Sequence, residues 1–453
     1  MKRSTWVLLA LVAALLAAIL LWERKAPSTG ESDANKLKVF EATVANARDL
    51  DRRGEAPLHL KKGGQDRWSL VAPVADMADR NAVEGFLERL VQTRALRFPA
   101  TGTPATESGL DKPRATWTFQ GEGVRVRVEV GRKAPFDEGL YLRVNGTLSL
   151  VPGDLESLLL RPADDFRLRN LTAAATQEVR SFTVEESGKR TLCARRDPNG
   201  GWEITAPFSD WGASGKIEQM LDDLSLCLVD TFEPEDLNRS RAGLDPPLRK
   251  ARLEMDKGPA VEIALGGSVP GGDPRKRLIY AFVTGRPSPV TVSANSLKTL
   301  AQDPESLRSL KLFRHDAWEA TGLTVRGARA LSLRRSKEGG WQVLGADPAK
   351  PGPDLGSLPA ALSGLTGQET HPWLGPTTPG FGRPDLTLTL KGDGFEESVE
   401  VGVEQGGRRL AHPQGRPVAL WVSRKDWATL DTALKLAAGS ASLPASGSQG
   451  KIP

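Results

Sequence analysis

Few residues in this 453-residue chain have types and spacings that could do chemistry. The two cysteines, Cys193 and Cys227, lie 34 positions apart (227 − 193). Their even count suits a disulfide in an oxidising compartment, with two buried thiols as the alternative. Asp111 and Asp245 sit in Gly-Leu-Asp-x-Pro and could be pictured as an acid–base pair or as metal ligands. An aspartate two places before proline is ordinary turn chemistry, its carboxylate bonding nearby backbone, so both are assigned to structure. His59, His315, His371 and His412 are spread too widely for a metal-ligand spacing. There is no Gly-x-Ser-x-Gly elbow, no His-Glu-x-x-His and no phosphate loop. The glycine-rich stretch 266–272 joins two strands rather than opening a helix. No catalytic residue, cofactor or metal is therefore assigned, and the chain is expected not to be an enzyme. Trp68, Trp202 and Trp341 could serve as stacking platforms for a glycan. Trp211 has no counterpart elsewhere and is the residue expected as an exposed contact.

The elements that must position these residues are repeated. Trp68 and Trp202 are 134 positions apart (202 − 68), and Ala-Pro follows each at the same offset. Next comes an apolar stripe at i, i+3, i+4, i+7, one face of a helix: Val83, Phe86, Leu87, Leu90 and then Ile217, Met220, Leu221, Leu224. Gly109 and Pro113 close the motif in the first copy, Gly243 and Pro247 in the second. A worn third copy has Trp341, the stripe Leu358, Ala361, Leu362, Leu365, and Pro384 in Gly-Phe-Gly-Arg-Pro, where Gly382 replaces the aspartate. The three tryptophans recur at nearly fixed distance from their stripes, which reads them as hairpin aromatics packed on their own helix. Alternating runs such as Val-Arg-Val-Arg-Val-Glu-Val at 124–130 supply strands with valines inward. Each copy reads as β-β-α-β-β-β-β-α, and the expected class is α+β: an N-terminal transmembrane helix followed by three tandem α+β repeats, each an antiparallel sheet with helices.

Composition places these repeats. The chain carries 61 basic and 56 acidic residues, net +5, without a basic block that would track phosphates, so no nucleic acid is expected as partner. Residues 6–22 are uncharged and apolar, with a tryptophan at each end and Lys2 and Arg3 before them. That pattern predicts a single-pass signal anchor in the inner membrane, with the N-terminus in the cytoplasm and the bulk of the chain periplasmic. The expected organisation is 1–5 cytoplasmic, 6–22 anchor, 23–35 linker, 36–165 repeat one, 166–312 repeat two, 313–436 divergent repeat three and 437–453 disordered tail.

The Gly-Gly-x-Trp strand, the amphipathic helix, Gly-Leu-Asp-x-Pro and the run Val128 to Leu159 resemble an uncharacterised bacterial domain-of-unknown-function family. The resemblance is close over two copies and loose in the third. It implies tandem copies behind one anchor and an association with ABC transport systems of the gliding-motility type. It implies no catalytic residues. The expected function is thus a non-catalytic extracytoplasmic accessory or docking protein, its partners the inner membrane through 6–22 and ABC-type transporter or other envelope proteins. A module binding cell-wall glycan or another envelope ligand is the alternative.

Overall fold

A computed structural model describes residues 37–98, 104–135, 139–198, 200–328, 330–336, 338–346 and 352–439. The first repeat opens with strands β1 (Asp49–Gly54), β2 (Leu58–Lys62), β3 (Trp68–Ala72) and β4 (Asp76–Met77). Helix α1 (Arg80–Gln92) and a short helical turn, α2 (Ala105–Ser108), follow. Strands β5 (Ala115–Gly121), β6 (Val124–Lys133), β7 (Leu140–Val144) and β8 (Thr147–Val151) and helix α3 (Leu155–Leu159) complete it. The sheet order is β4-β3-β2-β1-β5-β6-β7-β8. Two antiparallel meanders thus meet at the β1–β5 pair, where Leu50 faces Phe119 and Arg52 faces Trp117.

The second repeat has β9 (Val179–Glu186), β10 (Lys189–Arg196), β11 (Trp202–Ala206), β12 (Asp210–Gly212), α4 (Ser214–Leu226) and β13 (Val229–Phe232). It continues with β14 (Arg249–Met255), β15 (Val261–Ser268), β16 (Leu278–Val283) and β17 (Val290–Ser293), in the order β12-β11-β10-β9-β14-β15-β16-β17-β13. The third repeat has β18 (Ala320–Gly327), β19 (Leu331–Arg335), β20 (Trp341–Val343), α5 (Leu358–Ser363) and β21 (Glu369–Pro372). Its remaining elements are β22 (Leu386–Gly392), β23 (Phe395–Gln405), β24 (Arg408–Pro413), β25 (Val418–Ser423) and α6 (Arg424–Ala438). Its sheet order is β20-β19-β18-β22-β23-β24-β25-β21. The chain forms two compact units, and the second repeat's residues are divided between them. One holds Met1–Ala173, Leu226–Asp245 and Leu265–Ala294; the other holds Ala174–Ser225, Pro246–Ala264 and Asn295–Pro453.

Local sequence explains these elements. In β6, Val124, Val126, Val128 and Val130 are buried and Arg125 and Arg127 exposed, the period-2 pattern of a sheet with one wet face. Helix α1 buries Val83, Phe86, Leu87 and Leu90. Phe86 lies 5.1 Å from the Trp117 ring and meets Phe166 edge-on at 5.5 Å. Burial of such side chains is worth roughly 1.5–3 kcal/mol each. The carboxylate of Asp79 caps α1 by accepting from the backbone N–H groups of Asn81 and Ala82 at 2.8 and 3.2 Å.

The expected α+β class with an N-terminal transmembrane helix is corrected here. Among the described residues strand makes up 42% and helix 22%, in three antiparallel sheets, so this part of the chain is mainly β. Residues 6–22 lie outside the described residues, and among the described residues no helix is long and apolar enough to cross a membrane. The strands that sequence reading missed include those opening each copy, β1, β9 and β18, and the short β4, β12, β13 and β21. In β1 the inward positions are Leu50 and Arg52, so a buried arginine hides the apolar alternation. The helices are also shorter than expected: α3 has five residues, 294–301 is a 3-10 turn, and α5 ends at Ser363. At the other end, α6 runs through Ala438, into the stretch expected as tail; residues 440–453 lie outside the described residues.

Candidate functional site

Six buried charged residues, Asp76, Arg167, Arg286, Asp210, Arg308 and Arg416, are gathered at two junctions with the same ionic construction. In the first unit, Asp76 of β4 is wholly buried and accepts from Arg167 Nε at 2.7 Å and from Arg286 Nη1 at 3.2 Å. Its other oxygen accepts the backbone N–H of Met77 at 2.8 Å. Arg167 follows a 3-10 turn at Ala163–Phe166, pairs also with Asp164, and lies 3.7 Å over the Phe232 ring. Arg286 reaches in from Gly285-Arg286-Pro287, the turn between β16 and β17, where Gly285 has φ +92°. It also donates to the carbonyls of Leu168 (2.8 Å), Leu171 (3.2 Å) and Asn170. Backbone bonds complete the seam: Asp79 N–H to Phe166 O at 2.8 Å and Leu168 N–H to Met77 O at 2.9 Å.

The second unit contains the same construction. Asp210 of β12, also wholly buried, accepts from Arg308 Nη1 at 2.6 Å and from Arg416 Nε and Nη2 at 2.6 and 3.0 Å. Its neighbouring backbone N–H, on Trp211, donates at 2.8 Å. Arg308 pairs with Glu305 and lies 3.3 Å over the Phe208 ring. Arg416, in Gly415-Arg416-Pro417 between β24 and β25, donates to the carbonyls of Ser309 and Lys311 at 2.8 and 3.1 Å. The backbone seam recurs as Ala213 N–H to Leu307 O and Ser309 N–H to Trp211 O, at 2.7 and 2.8 Å. Beneath this arm the buried His412 donates Nε2–H to Arg416 O at 3.0 Å and stacks on Trp373 at 3.7 Å.

Each carboxylate thus answers two guanidinium groups, with a partly exposed Asp164 or Glu305 on the outer arginine. Burial pulls the Arg286 pKa below its ordinary value even with Asp76 beside it. Burial likewise pulls the His412 pKa down and keeps the ring neutral near pH 7. Charges this deep are costly to desolvate, so their value lies in fixing which segments meet and in what register.

The residues singled out from sequence fall into place around these junctions. Trp68, Trp202 and Trp341 are buried, and among the described residues their Nε1–H groups have no acceptor. Gly109 and Gly243 adopt φ of +70° and +67° before strands β5 and β14, and Pro113, Pro247 and Pro384 are half-buried there and before β22. Asp111 and Asp245 are exposed. Cys193 is half-buried and Cys227 is buried. Among the described residues no group of three or more His, Cys, Asp or Glu could hold a metal. Trp211, expected as an exposed contact, is half-buried. It lines a cleft of about 450 Å³ in the second unit with Asp197, Lys216, Lys311 and Arg314. The Arg314 guanidinium bonds Asp197 at 2.7 Å, and Arg416 lies 4.7 Å from the Trp211 ring.

Sequence reading missed Asp76, Asp210, Arg286 and Arg416. The signal was present: an aspartate eight places after tryptophan in two copies (76 − 68 and 210 − 202), and Gly-Arg-Pro at 285–287 and 415–417. Residues 68–247 match the family model described as Domain of unknown function (DUF4340). The match starts at the tryptophan of one copy and ends at the Gly-Leu-Asp-Pro-Pro of the next, so it contains Asp76, Arg167 and Asp210. A search of curated proteins found no match, and neither did a search of solved structures.

Proposed function

We propose that this chain, whose residues 68–247 are similar to a domain family without an assigned function, is a non-catalytic docking component of a bacterial envelope assembly. The observation that carries the reading is the pair of junctions. Fully buried carboxylates and arginines are engaged in holding consecutive repeats in register, which is the task of a scaffold that displays surfaces. The partner class, subunits of an ABC-type transport system, rests on the resemblance of the tandem copies. The extracytoplasmic location at the inner membrane rests on the charge asymmetry around residues 6–22 of the sequence. A second reading, a module for cell-wall glycan, draws on Trp211 in its cleft.

Chemical crosslinking in the native envelope, affinity isolation of the full-length protein and mass spectrometry test the proposal. Specific recovery of ABC-type membrane or ATPase subunits supports docking. Recovery of cell-wall fragments without a protein partner overturns it in favour of the second reading.

A further inference from the structure

The two junctions share one construction and differ at their rims, and several of the differences lie around one cleft. Backbone bonds of the two seams align Met77 with Trp211, Asp79 with Ala213, and Asn170 with Lys311. The same alignment sets Ala82 against Lys216, Ala173 against Arg314, and Gly63 against Asp197. From first junction to second, Lys216, Lys311 and Arg314 are gained while Arg67, Arg80 and Arg169 give way to Gly201, Ser214 and Leu310, and the carboxylate of Asp79 is lost as that of Asp197 is gained, so the charge is regrouped and not increased. That new carboxylate is already engaged by Arg314 at 2.7 Å. A thioether becomes an indole at the same step.

These substitutions do not serve the junction itself, because the first junction closes without them. They cluster on the wall of the 450 Å³ cleft, where charged side chains number three cations against one acid. An adjoining hollow of about 850 Å³ shares Asp197, Lys311 and Arg314 and is rimmed by Asp316, Glu319 and Asp393. The polarity therefore changes along the groove, from cationic at Trp211 to acidic at Asp393. Gly201 shapes the boundary: a Cβ there would meet Asp197 Oδ2 at 2.5 Å, so glycine lets that carboxylate reach Arg314. A half-buried indole beside these cations suits an apolar or aromatic side chain flanked by carboxylates. It suits a neutral sugar less well, since the Asp197 acceptor that hydroxyls would need is taken.

The geometry points to the cleft at Trp211 as a docking site for an acidic, extended peptide segment of a partner protein. This deepens the docking reading and rests on it: the second junction is the copy adapted to hold the partner, and the first is the plain version. Trp211 supplies the contact area, and Lys216, Lys311 and Arg314 set the preference for carboxylate.

The test uses the full-length chain and a fluorescein-labelled peptide of alternating Glu and Leu, with its Gln analogue as control, read by fluorescence anisotropy. The combined substitution Trp211→Met and Lys311→Asn installs the residues that the first junction already accommodates. An unchanged urea midpoint shows that this variant is folded. The expected result is binding of the Glu peptide that weakens at least about tenfold in the variant and about as much with the Gln analogue. Equal binding of Glu and Gln peptides at about 0.15 M salt, where free surface charge is screened, overturns the inference. So does a variant that binds as the parent does, or Trp211-dependent binding of soluble cell-wall glycan without the peptide. If the variant still recovers the transport subunits in the crosslinking experiment, the cleft assignment falls and docking stands. If the parent recovers none, docking itself falls.

Discussion

Individual residues in this chain act through burial more than through reactivity. His412 is the plainest case. It is buried, its ring stacks on Trp373, and its Nε2–H holds the carbonyl of the inserted Arg416. Burial, partly opposed by the bond to Arg416 and by Glu400, lowers its pKa below the ordinary value of about 6.5. As pH falls, the unfolded chain therefore takes up the proton first. The stability from this group is complete above about pH 6.5 and declines below it, through the interval between the unfolded and folded values. Urea midpoints taken from pH 7 to pH 5 are expected to fall less steeply in His412→Gln, which keeps an N–H donor and removes the titration. Equal slopes in parent and variant would show that the ring does not report on the arm. Nothing in the sequence marks this histidine, because its partner is a main-chain carbonyl and its pocket is assembled from a strand and a turn.

At the scale of elements, the junctions explain why the Gly-Arg-Pro turns at 285–287 and 415–417 and the short strands β4 and β12 sit where they do. A turn with glycine at positive φ throws one arginine across to a carboxylate in the preceding repeat, and the same arginine reads the carbonyls of the connecting segment. Removing the carboxylate takes away the acidic partner of the buried Arg286 or Arg416 and leaves the outer arginine to Asp164 or Glu305. Asp76→Asn and Asp210→Asn are each expected to cost about 3–5 kcal/mol in urea unfolding, the range for breaking a buried ion pair. A loss below about 1 kcal/mol for both would mean that the backbone seam alone holds the repeats, since that is the range of exposed pairs. The stripe helices, the tryptophan strands and the valine alternation of β6 were legible because each is a local period in sequence. The opening strand β1 was not, since Arg52 occupies an inward position and two of its carbonyl partners, Leu159 and Arg161, lie over a hundred residues away. The arginine arms were likewise hidden, for a buried charge is recognised by its partner and not by its neighbours in sequence. The third copy's weak helix was legible from its prolines and glycines, and α5 carries Pro359 in its first turn and is followed by Gly364 as its cap.

For the whole molecule, the account assigns unlike tasks to like parts. Three repeats share one sheet plan, two junctions share one ionic construction, and at one junction the cations are regrouped around a cleft lined by Trp211. Partner contact should therefore follow the second junction and not the first. Gly215 and Asn81 occupy equivalent, exposed positions at the start of α4 and α1, and a side chain added at Gly215 meets nothing within 4 Å. The most direct measurement places a benzoylphenylalanine at 215 or at 81 in the full-length protein, irradiates native envelopes, and identifies the adducts by mass spectrometry. The account predicts a protein adduct from position 215 that is absent from position 81. Adducts of equal yield from both positions, or none from 215, would contradict it.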